Sequence, residues 1–338
     1  MKIDIKDRIT GTIFGLSFGE SSALPSATHR LAILAPKRIA RMKTLGEFAD
    51  NNKQTTRPFP YTHAQPSYML NPRPSDDTEW FAFVAGYLLN SQESLAEWTL
   101  LAETLSDIRA RTGTKIALRN LLEGKLPPAS GHDNPHYFDD ISMIRALAVS
   151  TFRFDNLKVL DLRVNEDISI THSEDGLYCA MAVAHLHASL LRGETISVAI
   201  ENALNQLPED SWSKFAVTSM IQRTSSERSI LHRYALLETH EMENIYAYPV
   251  SAPETLGLLC AHLQHASSPE DLIFAGLMHK RKLDSLPALM GAIAGAIYGT
   301  EWIPKEFKES NIALEGVCIP ALKGITLGSI CDRYLAGL

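Results

Sequence analysis

Three glycines stand four residues apart near the start of the chain, Gly11, Gly15 and Gly19, and three more repeat that interval near its end, Gly291, Gly295 and Gly299. Residues four apart in a helix lie one above another, so each set makes a stripe bare of side chains on one face. A glycine inside a helix costs about 1 kcal/mol relative to alanine, so close packing must offset the stripe. Similar stripes let helices approach each other in membranes. Here, however, the sequence has no apolar run of about 18 residues, and the striped segments are too short and polar to span. The stripes therefore predict close helix packing in a soluble core, in preference to a role in oligomerisation.

Helical periodicity governs most of the rest. In TEWFAFVAGYLLN the apolar residues Trp80, Phe81, Val84, Tyr87 and Leu88 recur at three-and-four spacing, as one buried helix face requires. LYCAMAVAHLHASLLRG repeats the pattern with Leu177, Met181, Ala184, Leu186, Ala188 and Leu191 before Gly193 ends the run. Further helices are expected at 5–18, 94–111, 139–150, 195–206, 254–265, 269–278 and 286–298, and few alternating strand patterns compete with them. Stretches 19–74 and 123–138 read as irregular, and loops that long are usually functional or disordered. No repeat or linker divides the chain, so residues 1–338 are expected to form one all-α domain.

With 45 % hydrophobic residues, 338 positions can supply one large core. A formal charge of −7 and the absence of a Lys/Arg-rich block argue against nucleic acid as a partner. The opening MKIDIKDRITGTIFG lacks the apolar run of a signal peptide, and with no spanning segment the expectation is a cytoplasmic protein without a membrane partner. Cys179, Cys260, Cys318 and Cys331 are widely spaced, which points to buried thiols and to neither disulfides nor a structural zinc site.

The densest polar cluster in an apolar neighbourhood is Ser75, Asp76, Asp77, Thr78 and Glu79, after a Pro-rich loop and directly before a helix. A local capping box, with Asp76 accepting from the Glu79 amide and Glu79 reaching back, explains it without function. Two adjacent carboxylates flanked by hydroxyls are equally a set of hard oxygen ligands for Mg²⁺, Mn²⁺ or Ca²⁺. Asp284 and Ser285 form a second such junction, with Pro287 in the first turn of the following helix. Either cluster alone supplies too few ligands for a metal, so the interest lies in the pair.

Five segments in order resemble the ADP-ribosylglycohydrolase family over roughly residues 8 to 304: RITGTIFGLSFGESSALP, RPSDDTEWFAF, TGTKIALRNLLEGKLPPASGHDNPHYFDDISMIRALAV, ITHSEDGLYCAMAVAHLHASLLRGE and LDSLPALMGAIAGAIYGTEWIP. The resemblance implies an orthogonal multi-helix bundle that hydrolyses an N- or O-glycosidic bond to ADP-ribose or a related ribosyl nucleotide. It implies Ser75, Asp76, Asp77, Asp284 and Ser285 as ligands of one or two Mg²⁺ or Mn²⁺ ions. It also implies catalysis through Asp76, Asp77, Asp284 and Glu20, with Glu20 standing where the family's first helix ends in an aspartate. The partner would be a small-molecule or ADP-ribosylated substrate.

The pattern breaks at Lys282, which occupies the place of the closing motif's first aspartate in HKRKLDSL and so sets a cation against the second ion. Lys282 reads either as a solvated charge in the run from His279 or as a substitute cation facing the ligand. Glu20 reads as a compensating acid or as a helix cap, the cap being preferred. Gly131, His132, Asp133 and Asn134 could turn backbone amides toward a diphosphate, or could form a self-satisfied turn. His172 could contact the ribose or adenine, or hold a helix start. Met143 and Arg145 belong to a core-facing helix side. Phe59, Tyr61 and Tyr68 could stack on a base or anchor their loop. Three functions follow: the hydrolase, a non-catalytic binder of an ADP-ribose-like ligand or protein, and an enzyme repurposed for another ribosyl metabolite.

Overall fold

The computed structural model describes residues 3–34, 74–242 and 249–337, so Phe59, Tyr61 and Tyr68 lie outside the described residues. Among these it has sixteen α-helices and no strand. In chain order they are α1 (Ile5–Leu34), α2 (Asp76–Leu89), α3 (Ser94–Glu103), α4 (Thr112–Leu122), α5 (Ala129–His132), α6 (Ile141–Arg153), α7 (Leu157–Ile168) and α8 (Glu174–Leu191). The second half continues with α9 (Ile196–Leu204), α10 (Trp212–Thr224), α11 (Ile230–His240), α12 (Ala252–Leu263), α13 (Pro269–Met278), α14 (Leu286–Tyr298), α15 (Lys305–Glu309) and α16 (Leu327–Ala336). None of the described helices is long and apolar enough to cross a membrane.

The two glycine stripes face each other. A β-carbon on Gly11, Gly15 or Gly19 would lie 2.6, 2.2 and 2.0 Å from the carbonyl oxygens of Gly295, Gly291 and Pro287 respectively, so α1 and α14 run antiparallel with backbones in contact. Helix α14 is buried without a break from Leu286 to Ala296, as expected of a helix apolar all round. Helices α6, α8, α12 and α13 pack about it, and α1 covers its remaining side. Arg8 secures the far end of this pair, donating to the last carbonyls of α8 (Leu190, 3.1 Å) and α14 (Ala296). These carbonyls, near the negative ends of two helix dipoles, suit a cation.

The helix expected at 5–18 continues to Leu34, through Pro25, so the first part of the stretch expected to be irregular from residue 19 is helical, and residues 35–73 of it lie outside the described residues. The helix expected at 94–111 stops at Glu103. There the Thr104 hydroxyl takes the Leu101 carbonyl at 2.9 Å, and the Arg109 amide leaves for the Cys318 carbonyl at 3.0 Å. A new helix, α4, starts at Thr112, and one helical turn, α5, interrupts the expected loop 123–138. Helices α7, α10, α11, α15 and α16 carried no expectation because their buried faces are narrow: α16 buries only Leu327, Ile330, Cys331 and Tyr334.

Met143 and Arg145 are wholly buried on α6, as their spacing predicts. Arg145 donates to Asp167 through Nε at 2.9 Å and Nη2 at 2.7 Å, while Trp98 Nε1 and Tyr87 Oη donate to the other carboxylate oxygen. The four cysteines are buried thiols without disulfide partners.

Candidate active site

The start of α2 is organised from outside its own segment. The Glu20 carboxylate, buried on α1, accepts from the Ser75 amide (3.0 Å) and hydroxyl (2.7 Å), the Asp77 amide (2.9 Å), the Thr78 amide (3.3 Å) and the Thr78 hydroxyl. The first amides of a helix lack intrahelical partners, and a carboxylate there also meets the positive end of the dipole. Glu20 is thus the cap of α2. Burial and the charge of Asp76 nevertheless push its pKa up to about 7, against the hydrogen bonds from Thr78 and Ser75.

The local capping box does not form. Ser75 makes no side-chain cap bond to the helix, and the Glu79 carboxylate turns away to accept from the amides of Val317 (2.7 Å), Cys318 (2.6 Å) and Ile319 (3.1 Å). With its cap supplied by α1, α2 leaves Asp76 and Asp77 free to face the start of α14. There Ser285 Oγ lies 3.2 Å from Asp77 Oδ1 and 3.1 Å from Asp140 Oδ1, although 208 residues separate Ser285 from Asp77. Asp284 is half-buried beside them. Its charge adds to the burial that raises the Asp76 pKa, while Arg111 opposes both. The two predicted junctions therefore meet.

Three residues that the sequence reading passed over complete the cluster. Asp139 and Asp140, directly before α6, are wholly buried. Arg111, at the start of α4, reaches Asp139 Oδ1 at 2.8 Å, Asp140 Oδ1, Asp77 Oδ1 at 3.6 Å and Asp76 Oδ2 at 3.8 Å, and donates to Ser285 Oγ at 2.7 Å. Burial alone would lower its pKa, but these carboxylates hold it well above the usual value. Asp139 is pushed up to about 6, by burial first and by Asp140, against the pull of Arg111. A visible signal existed: FDDIS resembles SDDT in setting two adjacent acids at a helix start.

Lys282 is not a solvated charge. Its side chain is completely buried, with Nζ 2.6 Å from Glu254 Oε2 and 2.8 Å from Ser251 Oγ. Thr255 links this pair to the cluster by donating to Asp140 Oδ2 at 2.7 Å. Burial lowers the Lys282 pKa, while Glu254 and Asp140 raise it.

The cluster opens on a cavity of about 310 Å³ lined by Ser75, Asp76, Trp80, Arg109, Arg111 and Cys318. The other expected binding residues lie elsewhere. Gly131 packs against the backbone of Ser169 and His172, His132 and Asp133 are exposed, and Asn134 is buried, with Nδ2 on the carbonyls of Gly113 and Thr171. The amides of all four donate within their own turn, to Pro128, Pro128, Ala129 and His132 in order, so they form no cradle for a diphosphate. His172 is buried, its Nδ1 2.7 Å from Thr171 Oγ1. Its Nε2 finds no partner among the described residues, and the ring lines a separate cavity of about 1010 Å³ with Pro127, Pro128, Ser169, Ser173 and Glu174.

The model of the ADP-ribosylglycohydrolase family matches residues 1–319. The chain belongs to that family. Among solved structures 46 chains match. One, described as an ADP-ribosylglycohydrolase-related protein complex, is 18 % identical with a TM-score of 0.61 over 99 % of each chain, a likeness that speaks for the fold. No curated protein matches.

Metal ligation by Ser75, Asp76, Asp77, Asp284 and Ser285 would require oxygens converging on one point at about 2.0–2.6 Å. Among the described residues no three His, Cys, Asp or Glu side chains gather in that way. Asp77, Asp139, Asp140 and Ser285 instead turn their oxygens toward the Arg111 guanidinium. As the side chains stand, the donor set does not fit one or two divalent ions.

Proposed function

We propose that the chain hydrolyses an N- or O-glycosidic bond to ADP-ribose or a related ribosyl nucleotide, with the anomeric carbon seated over the cavity at Asp76 and Arg111. The observation that carries this reading is the meeting of Asp77 and Ser285 at 3.2 Å, where the starts of two helices bring their acidic junctions together. Glycoside hydrolysis passes through an oxocarbenium-like state, which carboxylates stabilise, and it needs one acidic group to protonate the leaving atom and one basic group to activate water. Asp76 stands at the open side of the cluster, where a carboxylate can face the sugar. Asp77, whose pKa burial and Asp76 push well above the usual range, can hold a proton within the cluster. Arg111 keeps these carboxylates together and offers the cavity a fixed positive charge.

Two cations, Arg111 at the cavity and the buried Lys282, favour a second reading, in which the pocket retains a ribosyl ligand without turnover. The test is incubation of the purified protein with one N-linked and one O-linked ADP-ribosyl peptide, following release of ADP-ribose by mass spectrometry and its binding by calorimetry. Release that is lost in Asp77→Asn supports hydrolysis. Saturable binding with no release supports the second reading, and neither binding nor release would sink both.

A further inference from the structure

We infer that Arg111 is the resident cation of this centre and takes the place a divalent ion would fill, so that the acidic cluster assembles without metal. This inference concerns what holds the carboxylates together and stands whether or not they turn substrate over.

One planar group gathers side chains from three separate elements. Nη1 lies against Asp139 and Asp140 ahead of α6, and Nη2 against Ser285 at the cap of α14 and against Asp76 and Asp77 at the start of α2. A planar fork of donors is suited to carboxylates at fixed separations in a way that a single ammonium is not. Its anchorage is firm on both sides. The Arg109 amide is tied to Cys318, and the Arg111 carbonyl accepts from Lys115 in the first turn of α4. Gly113 approaches His136 so closely that a β-carbon would lie 2.8 Å from the His136 carbonyl oxygen. The guanidinium is thus delivered by the docking of α4 against the segment that carries Asp139 and Asp140.

Lys282 adds an independent observation. It sits where the resemblance places an acid, wholly buried and paired with Glu254, and is linked to Asp140 by hydrogen bonds through Ser251 and Thr255. An expected carboxylate ligand is replaced by a cation, and the remaining carboxylates are bound by another. Two buried acceptors, Asp77 Oδ2 and Asp139 Oδ2, have no hydrogen-bond partner among the described residues. Between these carboxylates the guanidinium already supplies the positive charge, and it would repel a divalent ion placed beside it.

The test uses Mn²⁺ alone on metal-stripped full-length protein, read by electron paramagnetic resonance titration and by melting temperature, without any substrate. The wild type is expected to show no saturable Mn²⁺ binding and no shift in melting temperature on adding Mn²⁺ or EDTA. Arg111→Gln, which removes the charge and leaves the carboxylates, is expected to gain one Mn²⁺ and a rise of about 3–6 °C at saturating ion. If Arg111→Gln fails to fold, the Arg111→Gln/Asp139→Asn double variant, which removes one charge of each sign, is read in its place. Stoichiometric binding by the wild type that disappears in Asp77→Asn would overturn the inference, as would a folded variant lacking Arg111 that still ignores Mn²⁺. Loss of the proposed hydrolysis, by contrast, moves neither readout.

Discussion

A β-carbon placed on Gly291 would lie 1.9 Å from the carbonyl oxygen of Gly15. Neither backbone can yield without parting α1 from α14, so Gly291→Ala is expected to lower stability by about 3 kcal/mol or more. Gly86, within α2, has nothing within 4 Å of the corresponding position. There alanine should stabilise by up to about 1 kcal/mol. Thermal melts of the two variants side by side check this, and equal melting temperatures would refute the interlocked stripes.

Glu79→Ala removes the acceptor for three consecutive amides at 317–319, of which those of Cys318 and Ile319 are buried. Leaving them unsatisfied should cost about 3 kcal/mol or more. The segment they belong to should also be cut earlier by a nonspecific protease, with the first cleavages mapped by mass spectrometry. Cleavage that begins elsewhere at an unchanged rate would deny Glu79 this anchoring role.

His187 joins Thr12 on α1 (3.0 Å) to Ser150 on α6 (2.8 Å), and burial lowers its pKa from 6.5 to about 3. The unfolded chain binds this proton below pH 6.5, while the folded chain resists it until near pH 3. Its contribution to stability is therefore complete above the unfolded value and falls as the pH drops toward the folded one, by about 1.4 kcal/mol per pH unit. In denaturant titrations the stability gap between wild type and His187→Gln should narrow from neutral pH to about pH 4. A gap independent of pH would contradict it.

Asp77→Asn keeps the size of the side chain and removes its charge beside Arg111 and Ser285. Release of ADP-ribose should fall by about 10²- to 10⁴-fold, as when a group managing a proton is lost. The melting temperature should move little, since burial penalises the charge that is removed. A variant with full activity would relocate the chemistry.

What could be read from the residues was mostly local. The acids at 76 and 77 and the pair Asp284 and Ser285 were visible as helix starts, and α13 and α14 run over the predicted residues. What escaped depends on distant partners. Glu79 suits a capping box by its spacing, yet its true acceptor role lies 238 residues away at Val317. Arg111 is one basic residue among several in IRARTGTK, and only the docking of α4 selects it for the centre. Lys282 lies in a run that reads as a solvated surface, and its burial follows from facing Glu254 on α12, a contact no local pattern encodes.

The cap that Glu20 places on α2, and the clasp of α1 on α14, tie one of the earliest parts of the chain to one of the last. During synthesis α1 is made long before its partner exists, so its bare glycine face must wait for most of the chain to emerge. Contacts so distant along the chain make for slow closure and a period of exposed surface. The acidic centre, drawing on Glu20, Arg111 and Ser285, can come together only when that closure is complete, so a chain stalled before α14 would lack the centre altogether.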